Sequence, residues 1–160
     1  MKIRIFSVIC ENIPGVMMRI SRDFTRRQIN LDSITVGIEP TGLARIILIF
    51  KSDDRMAEFM RRVLVRSEPI VDVEVIDPER SIVREVALMK TNKLDEKRIW
   101  KVVQKVERVG GKVLETKGNV LIVELSGQHD EIEKVVTELG PETLREVARS
   151  GQVLISREIT

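Results

Sequence analysis

One order of hydrophobic patterns runs twice through this chain, and few folds accommodate it: apolar strand, amphipathic helix, two strands around a tight turn, second helix, final strand. Residues 2–10, KIRIFSVIC, are rich in Ile, Val and Phe and read as a strand buried on both faces, hence central in its sheet. Pro14 suits the first turn of the helix that follows, where Val16, Met17, Ile20 and Phe24 recur at helical spacing up to a turn near 28–30. Two strands, 31–39 and 43–50, flank Pro40-Thr41-Gly42, whose composition marks a hairpin loop. Asp53 is placed to cap a second helix with the stripe Met56, Phe59, Met60, Val63 and Leu64, and Pro69 ends it. Val71, Val73 and Val75 then alternate with acids, predicting a strand with one buried face.

This βαββαβ order packs as a four-stranded antiparallel sheet with both helices on one side, a ferredoxin-like unit. Asp77-Pro78-Glu79-Arg80-Ser81 reads as a linker, and the rhythm then returns. A strand covers 82–90 and a helix carries Ile99, Val102, Val103 and Val106 up to Gly110-Gly111. A hairpin follows across Lys117-Gly118, then a helix with Ile132, Val135, Val136 and Leu139, ended by Gly140-Pro141, and a strand over 152–157. A short helical turn within 142–149 is expected before that strand. The fold class is therefore α+β, with two ferredoxin-like domains at residues 1–78 and 79–160.

Composition removes several classes of function. The chain has no run of some 18 uncharged apolar residues. Its N-terminus lacks a signal-peptide pattern, so a cytoplasmic location is expected. A net charge of +2, 3% aromatics and no Tyr argue against nucleic-acid binding, since Lys and Arg are interleaved with acids rather than gathered in a stripe. The single Cys10 lies in an apolar run and reads as a core thiol. The single His129, beside Gly127 and Asp130, reads as a surface capping residue. One His and one Cys cannot build a zinc site, and no glycine spacing fits a phosphate loop, so neither catalytic nor metal residues are expected.

What remains is Glu11-Asn12-Ile13-Pro14-Gly15-Val16-Met17, at a strand-to-helix turn. Free N–H groups at a helix start favour an anion, and Gly15 has no side chain to block its approach. Asn12 can both donate and accept, which suits a zwitterion with an ammonium and a carboxylate. Val16 and Met17 can line an apolar pocket. Asn30 lies beyond the other end of the helix, about 20 Å away if about 14 residues intervene at 1.5 Å each. One chain does not bring both asparagines to one small ligand, but a two-fold dimer joined along the second strand, an edge in this order, can. Asn-x-Pro-Gly is equally a common turn composition, and Asn30 equally suits a left-handed turn residue.

Residues 8–37, VICENIPGVMMRISRDFTRRQINLDSITVG, resemble the opening of the small, regulatory subunit of acetohydroxyacid synthase, also called acetolactate synthase. The likeness continues through LARIILIF, REVALMK and EVARSG. The resemblance implies an amino-acid-binding ACT domain in the first half and the family's C-terminal domain in the second. It implies a noncatalytic homodimeric partner that activates a catalytic subunit and confers feedback inhibition by a branched-chain amino acid, typically valine. Thiamine diphosphate, magnesium and FAD are then cofactors of that partner, with none in this chain. By motif, Asn12, Gly15, Val16 and Met17 of one copy and Asn30 and Leu31 of the other are the effector residues. Gln28 stands where the family often has Gly, and Met17-Met18 where Leu and a smaller or polar residue are frequent. Rival readings are a stand-alone tandem ACT-like regulator, an acylphosphatase-like hydrolase lacking its Gly-x-Val-Gln, and an RNA-recognition module whose key strand keeps only Phe50 as an aromatic.

Overall fold

The computed structural model describes residues 1–158. The chain divides into two compact units, one of residues 1–82 with the C-terminal segment from Val153, the other Val83–Gln152.

In the first unit β1 (Lys2–Cys10), α1 (Val16–Thr25), β2 (Leu31–Ile38), β3 (Ala44–Ser52), α2 (Asp54–Val65) and β4 (Ile70–Ile76) follow in turn. The sheet order is β2-β3-β1-β4, and its three pairings are antiparallel. Alternate residues of β1 and β3, among them Phe6, Val8, Ile46, Leu48 and Phe50, meet Val16, Ile20, Phe24, Ala57, Met60 and Leu64 of the helices. Phe50 takes edge-on contacts from Phe6 and Phe24, both at 4.9 Å between ring centres. Fully burying each such ring contributes about 1.5–3 kcal/mol, so this trio fixes how α1 seats on the sheet. On the opposite face Ile5, Ile47, Ile49 and Ile76 form a smaller cluster against which Leu154, from the C-terminal segment, packs. Hence β1 is buried on both sides.

Several expectations need correction. Helix α1 begins at Val16, with Gly15 as its N-cap at φ +88°, so Pro14 precedes the helix instead of opening it. Asp53 does cap α2, accepting from the Met56 N–H at 2.7 Å. Ala57 takes the buried place expected of Phe59, whose ring lies exposed beneath the Arg27 guanidinium, 5.0 Å from the ring centre. In β4 only Val73 of the three valines is buried. Val71 and Val75 are exposed because β4 is an edge strand, and a register shift opposite Ile9 and Cys10 turns Ile70 inward. Asp77 accepts from the Glu79 N–H at 3.0 Å and closes a single 3₁₀ turn at Pro78–Arg80.

The second unit is built on β5 (Ser81–Thr91) from Val83 onward, α3 (Glu96–Arg108), β6 (Lys112–Lys117), β7 (Val120–Gly127), α4 (His129–Leu139) and β8 (Leu144–Ser156) as far as Gln152, with sheet order β6-β7-β5-β8. Its core joins Ala87, Met89, Leu121, Val123 and Leu125 to Val102, Val106, Ile132, Val135 and Leu139. Gly111 is required sterically. A β-carbon there would lie 2.7 Å from the Glu124 carbonyl and 2.7 Å from Val106, and would overlap Leu125. Residues 144–149, expected to include a helical turn, instead open the 13-residue strand β8. Leu144 anchors that end in the core, and the strand lies beside β5, where the backbone groups on its inner side can join the ladder.

Candidate effector site

The turn between β1 and α1 is held from below and open above. Its base is fixed where the Glu11 N–H donates to the Pro69 carbonyl at 2.8 Å, and the Ile13 N–H turns back to the Glu11 carbonyl at 3.0 Å. Asn12, Ile13, Pro14 and Gly15 are all exposed. The φ of +88° at Gly15 favours glycine, and the space where its β-carbon would point is empty to 4 Å. No side chain caps α1, and its first turn has no acidic residue. The other helices differ. Asp53 and Asp95 accept from first-turn N–H groups of α2 and α3, and Glu131 of α4 accepts from the Gln128 N–H at 2.9 Å. Among the described residues, α1 is thus the one α-helix whose N-terminus makes no hydrogen bond to a side chain. Such an end attracts a carboxylate through its free N–H groups and the helix dipole.

The remaining named residues divide between core and surface. Val16 is buried and turned into the core, and Met17 is half-buried against it. Asn30 is exposed and donates from Nδ2 to Asp32 Oδ1 at 3.1 Å. Leu31, half-buried on the same core, opens the edge strand β2. Within one chain Gly15 and Asn30 lie off opposite ends of α1, which at ten residues is about 15 Å long. The left-handed residue of this connection is Gln28 at φ +56°, not Asn30. A glycine would take that conformation without strain.

Beside this edge, Ile34, Val36 and Ile38 leave an apolar row exposed on β2. They pair with Leu48, Ile46 and Ala44 and point to the helix side of the sheet, where β2 lies at the margin.

The second unit contains a polar cluster that the sequence reading did not anticipate. Glu85 is buried on β5, its side chain 4% exposed. Arg149 of β8 grips it with Nε to Oε1 at 2.8 Å and Nη2 to Oε2 at 3.0 Å, and reaches Glu133 at 2.5 Å. His129 Nδ1 stands 2.9 Å from Glu85 Oε2 and 3.0 Å from Arg149 Nη2. Protonated, that nitrogen donates to Glu85; unprotonated, it accepts from Arg149. Burial pushes the Glu85 carboxyl up, but the hydrogen bonds from Arg149 and His129 outweigh it and hold the group below the usual carboxylate range. His129 therefore belongs to an ion-pair cluster, not to a cap, and Gln128 is the N-cap of α4. The parity of REVALMK carried the signal, because Glu85 shares the inward face with Ala87 and Met89. A cleft of about 1350 Å³ between α3 and α4 is lined by interleaved Lys, Arg and Glu side chains such as the Lys105–Glu138 pair, which do not converge on one point.

Comparison with known proteins decides the family. Residues 6–65 match the AHAS small subunit-like ACT domain, and residues 84–158 match the small subunit of acetolactate synthase. A probable acetolactate synthase small subunit of Methanothermobacter thermautotrophicus is 30% identical over 154 residues, 96% of this chain and 92% of that protein. The chain belongs to the acetolactate synthase small-subunit family. The acetolactate synthase small subunit of Mycobacterium bovis is 30% identical over 157 residues, covering 98% of this chain and 93% of its own length. The crystal structure of the acetolactate synthase small subunit from Thermotoga maritima superposes with a TM-score of 0.90 at 32% identity, covering 100% of both chains. The small-subunit fold is thus shared along the whole chain. Among the described residues no helix is long and apolar enough to cross a membrane.

Proposed function

We propose that this chain is the noncatalytic regulatory subunit of acetolactate synthase in branched-chain amino-acid biosynthesis. It binds the catalytic subunit, raises its activity and confers feedback inhibition by valine held between two ACT domains. The observation that carries the effector reading is the open N-terminus of α1 behind the Gly15 turn. It can receive the carboxylate while Asn12 bonds the zwitterion and Met17 bounds the apolar side, with Val16 anchoring the start of the helix in the core beneath. The exposed row Ile34, Val36, Ile38 on an edge strand supports β2-to-β2 pairing of two copies, in which Asn30 and Leu31 of the second copy complete the site. Effector binding and dimer geometry then form one equilibrium, and a coupling of about 1–3 kcal/mol changes partner activity about 5- to 150-fold. Thiamine diphosphate, magnesium and FAD reside in the catalytic subunit.

The test is to mix the purified chain with the catalytic subunit from the same organism and assay acetolactate formation with and without valine, leucine and isoleucine. Activation and valine inhibition are expected. Asn12→Ala and Asn30→Ala each remove the inhibition and keep the activation. Full inhibition of both variants overturns the site, and failure to bind or activate the catalytic subunit leaves a stand-alone amino-acid-binding regulator.

A further inference from the structure

The outer face of α1 and α2 carries a one-sided charge. Residues 16–28 and 53–66 together contain eight arginines, four carboxylates and no lysine. In the linear sequence these charges look interleaved. The structure shows that three of the four acids are already engaged. Asp53 is the N-cap of α2, Asp54 pairs with Arg4 and Lys2, and Glu58 pairs with Arg61 and Arg62. Asp23 alone remains against Arg19, Arg22, Arg26, Arg27, Arg55 and Arg66. All six are exposed, and none lies within 4.0 Å of a carboxylate among the described residues.

These side chains form one surface. Arg19, Arg22 and Arg26 are spaced by three and four along α1, as are Arg55, Phe59, Arg62 and Arg66 along α2. Both helices bury their opposite faces in the same core, and Arg27 stacked on Phe59 joins their outer stripes. Between the cations lie exposed apolar groups: Met18 at 76%, Val65 at 47% and Phe59 at 36%.

We infer that this face docks an acidic surface of the synthase catalytic subunit, a proposal that rests on the regulatory-subunit reading above. Arginine, methionine and aromatic side chains are enriched in protein interfaces whereas lysine is depleted. Guanidinium is weakly hydrated and grips carboxylates with two parallel hydrogen bonds, so a face built from Arg to the exclusion of Lys favours desolvated pairing with Asp and Glu. The same charge would attract RNA. However, single strands bind through stacked aromatics, and the one aromatic ring here is already covered by Arg27.

The full chain is titrated with the catalytic subunit by calorimetry at 50 and 300 mM salt, beside the quadruple variant Arg22→Glu, Arg26→Glu, Arg55→Glu, Arg66→Glu. Circular dichroism and thermal melting check its fold, and the same four positions changed to Gln provide the test if the Glu variant does not fold. Wild-type affinity is expected to fall about tenfold between the two salts, and the reversal to weaken binding about 100-fold. Met18→Asp should add a loss of about tenfold on its own. A folded reversal variant binding within threefold of wild type overturns the docking surface. So does reversal that abolishes binding of single-stranded RNA and leaves the subunit complex intact. Wild-type protein that does not bind the catalytic subunit at either salt overturns the regulatory reading along with the surface.

Discussion

Replacing Arg149 by Met removes the guanidinium while keeping much of its stem, and leaves the Glu85 carboxylate almost without compensation at a side-chain exposure of 4%. Two charge-assisted hydrogen bonds, at 2.8 and 3.0 Å, disappear, and the contact near His129 at 2.9 Å remains. Removing one partner of a buried pair costs about 3–5 kcal/mol. Because Arg149 is itself 25% exposed and His129 stays in place, the low end applies, about 3 kcal/mol. In a unit of this size that lowers the melting temperature by about 12–24 °C.

The loss carries a pH signature. In the native chain the Glu85 carboxyl sits below its ordinary range, so its stabilisation is present above the unfolded-state value and disappears as pH falls through the folded one. With Arg149 gone, burial dominates and pushes the carboxyl upward, so acid relieves the variant while it weakens the wild type. The two stabilities therefore differ most at pH 7 and draw together as pH falls through and below the ordinary carboxylate range. Urea unfolding followed by the fluorescence of Trp100, the sole tryptophan and a residue of the second unit, reads the affected part directly. Adding Glu85→Gln to the variant should recover at least half of the loss. A cost below about 1 kcal/mol at pH 7, or a cost equal at pH 4 and pH 7, refutes the claim that Arg149 holds an ionised Glu85.

Other substitutions separate local causes. Gly111→Ala forces a β-carbon against the Glu124 carbonyl and Val106, and should cost about 1–3 kcal/mol in the same unfolding assay. Gln28→Gly relieves a left-handed backbone and should leave stability unchanged or raise it by up to about 1 kcal/mol, whereas Gln28→Val should lower it. Met60→Ala should cost about 2–5 kcal/mol and Phe59→Ala about 1 kcal/mol or less, a ranking set by burial and cation stacking rather than by side-chain size; thermal melts of the two variants decide it.

The sequence alone determined the element order and the fold class, because periodicity, turn residues and caps such as Asp53 act over a few residues and are legible locally. It also singled out Asn12, Gly15 and Asn30 as a set with no common site inside one chain. Tertiary structure decided matters that depend on neighbours remote in the chain. Phe59 reads as core by spacing, yet Ala57 is buried and Phe59 is left outside, because the seating of α2 on the sheet fixes which face turns inward. Residues 144–149 form strand because β5 offers an edge. Glu85 and Arg149, 64 positions apart, meet only through sheet pairing. The arginines of α1 and α2 emerge as one cationic face only after folding assigns Asp54 to Arg4 and Glu58 to its own helix. Charge in a sequence is a count, whereas charge on a surface is what remains after the fold has formed its pairs.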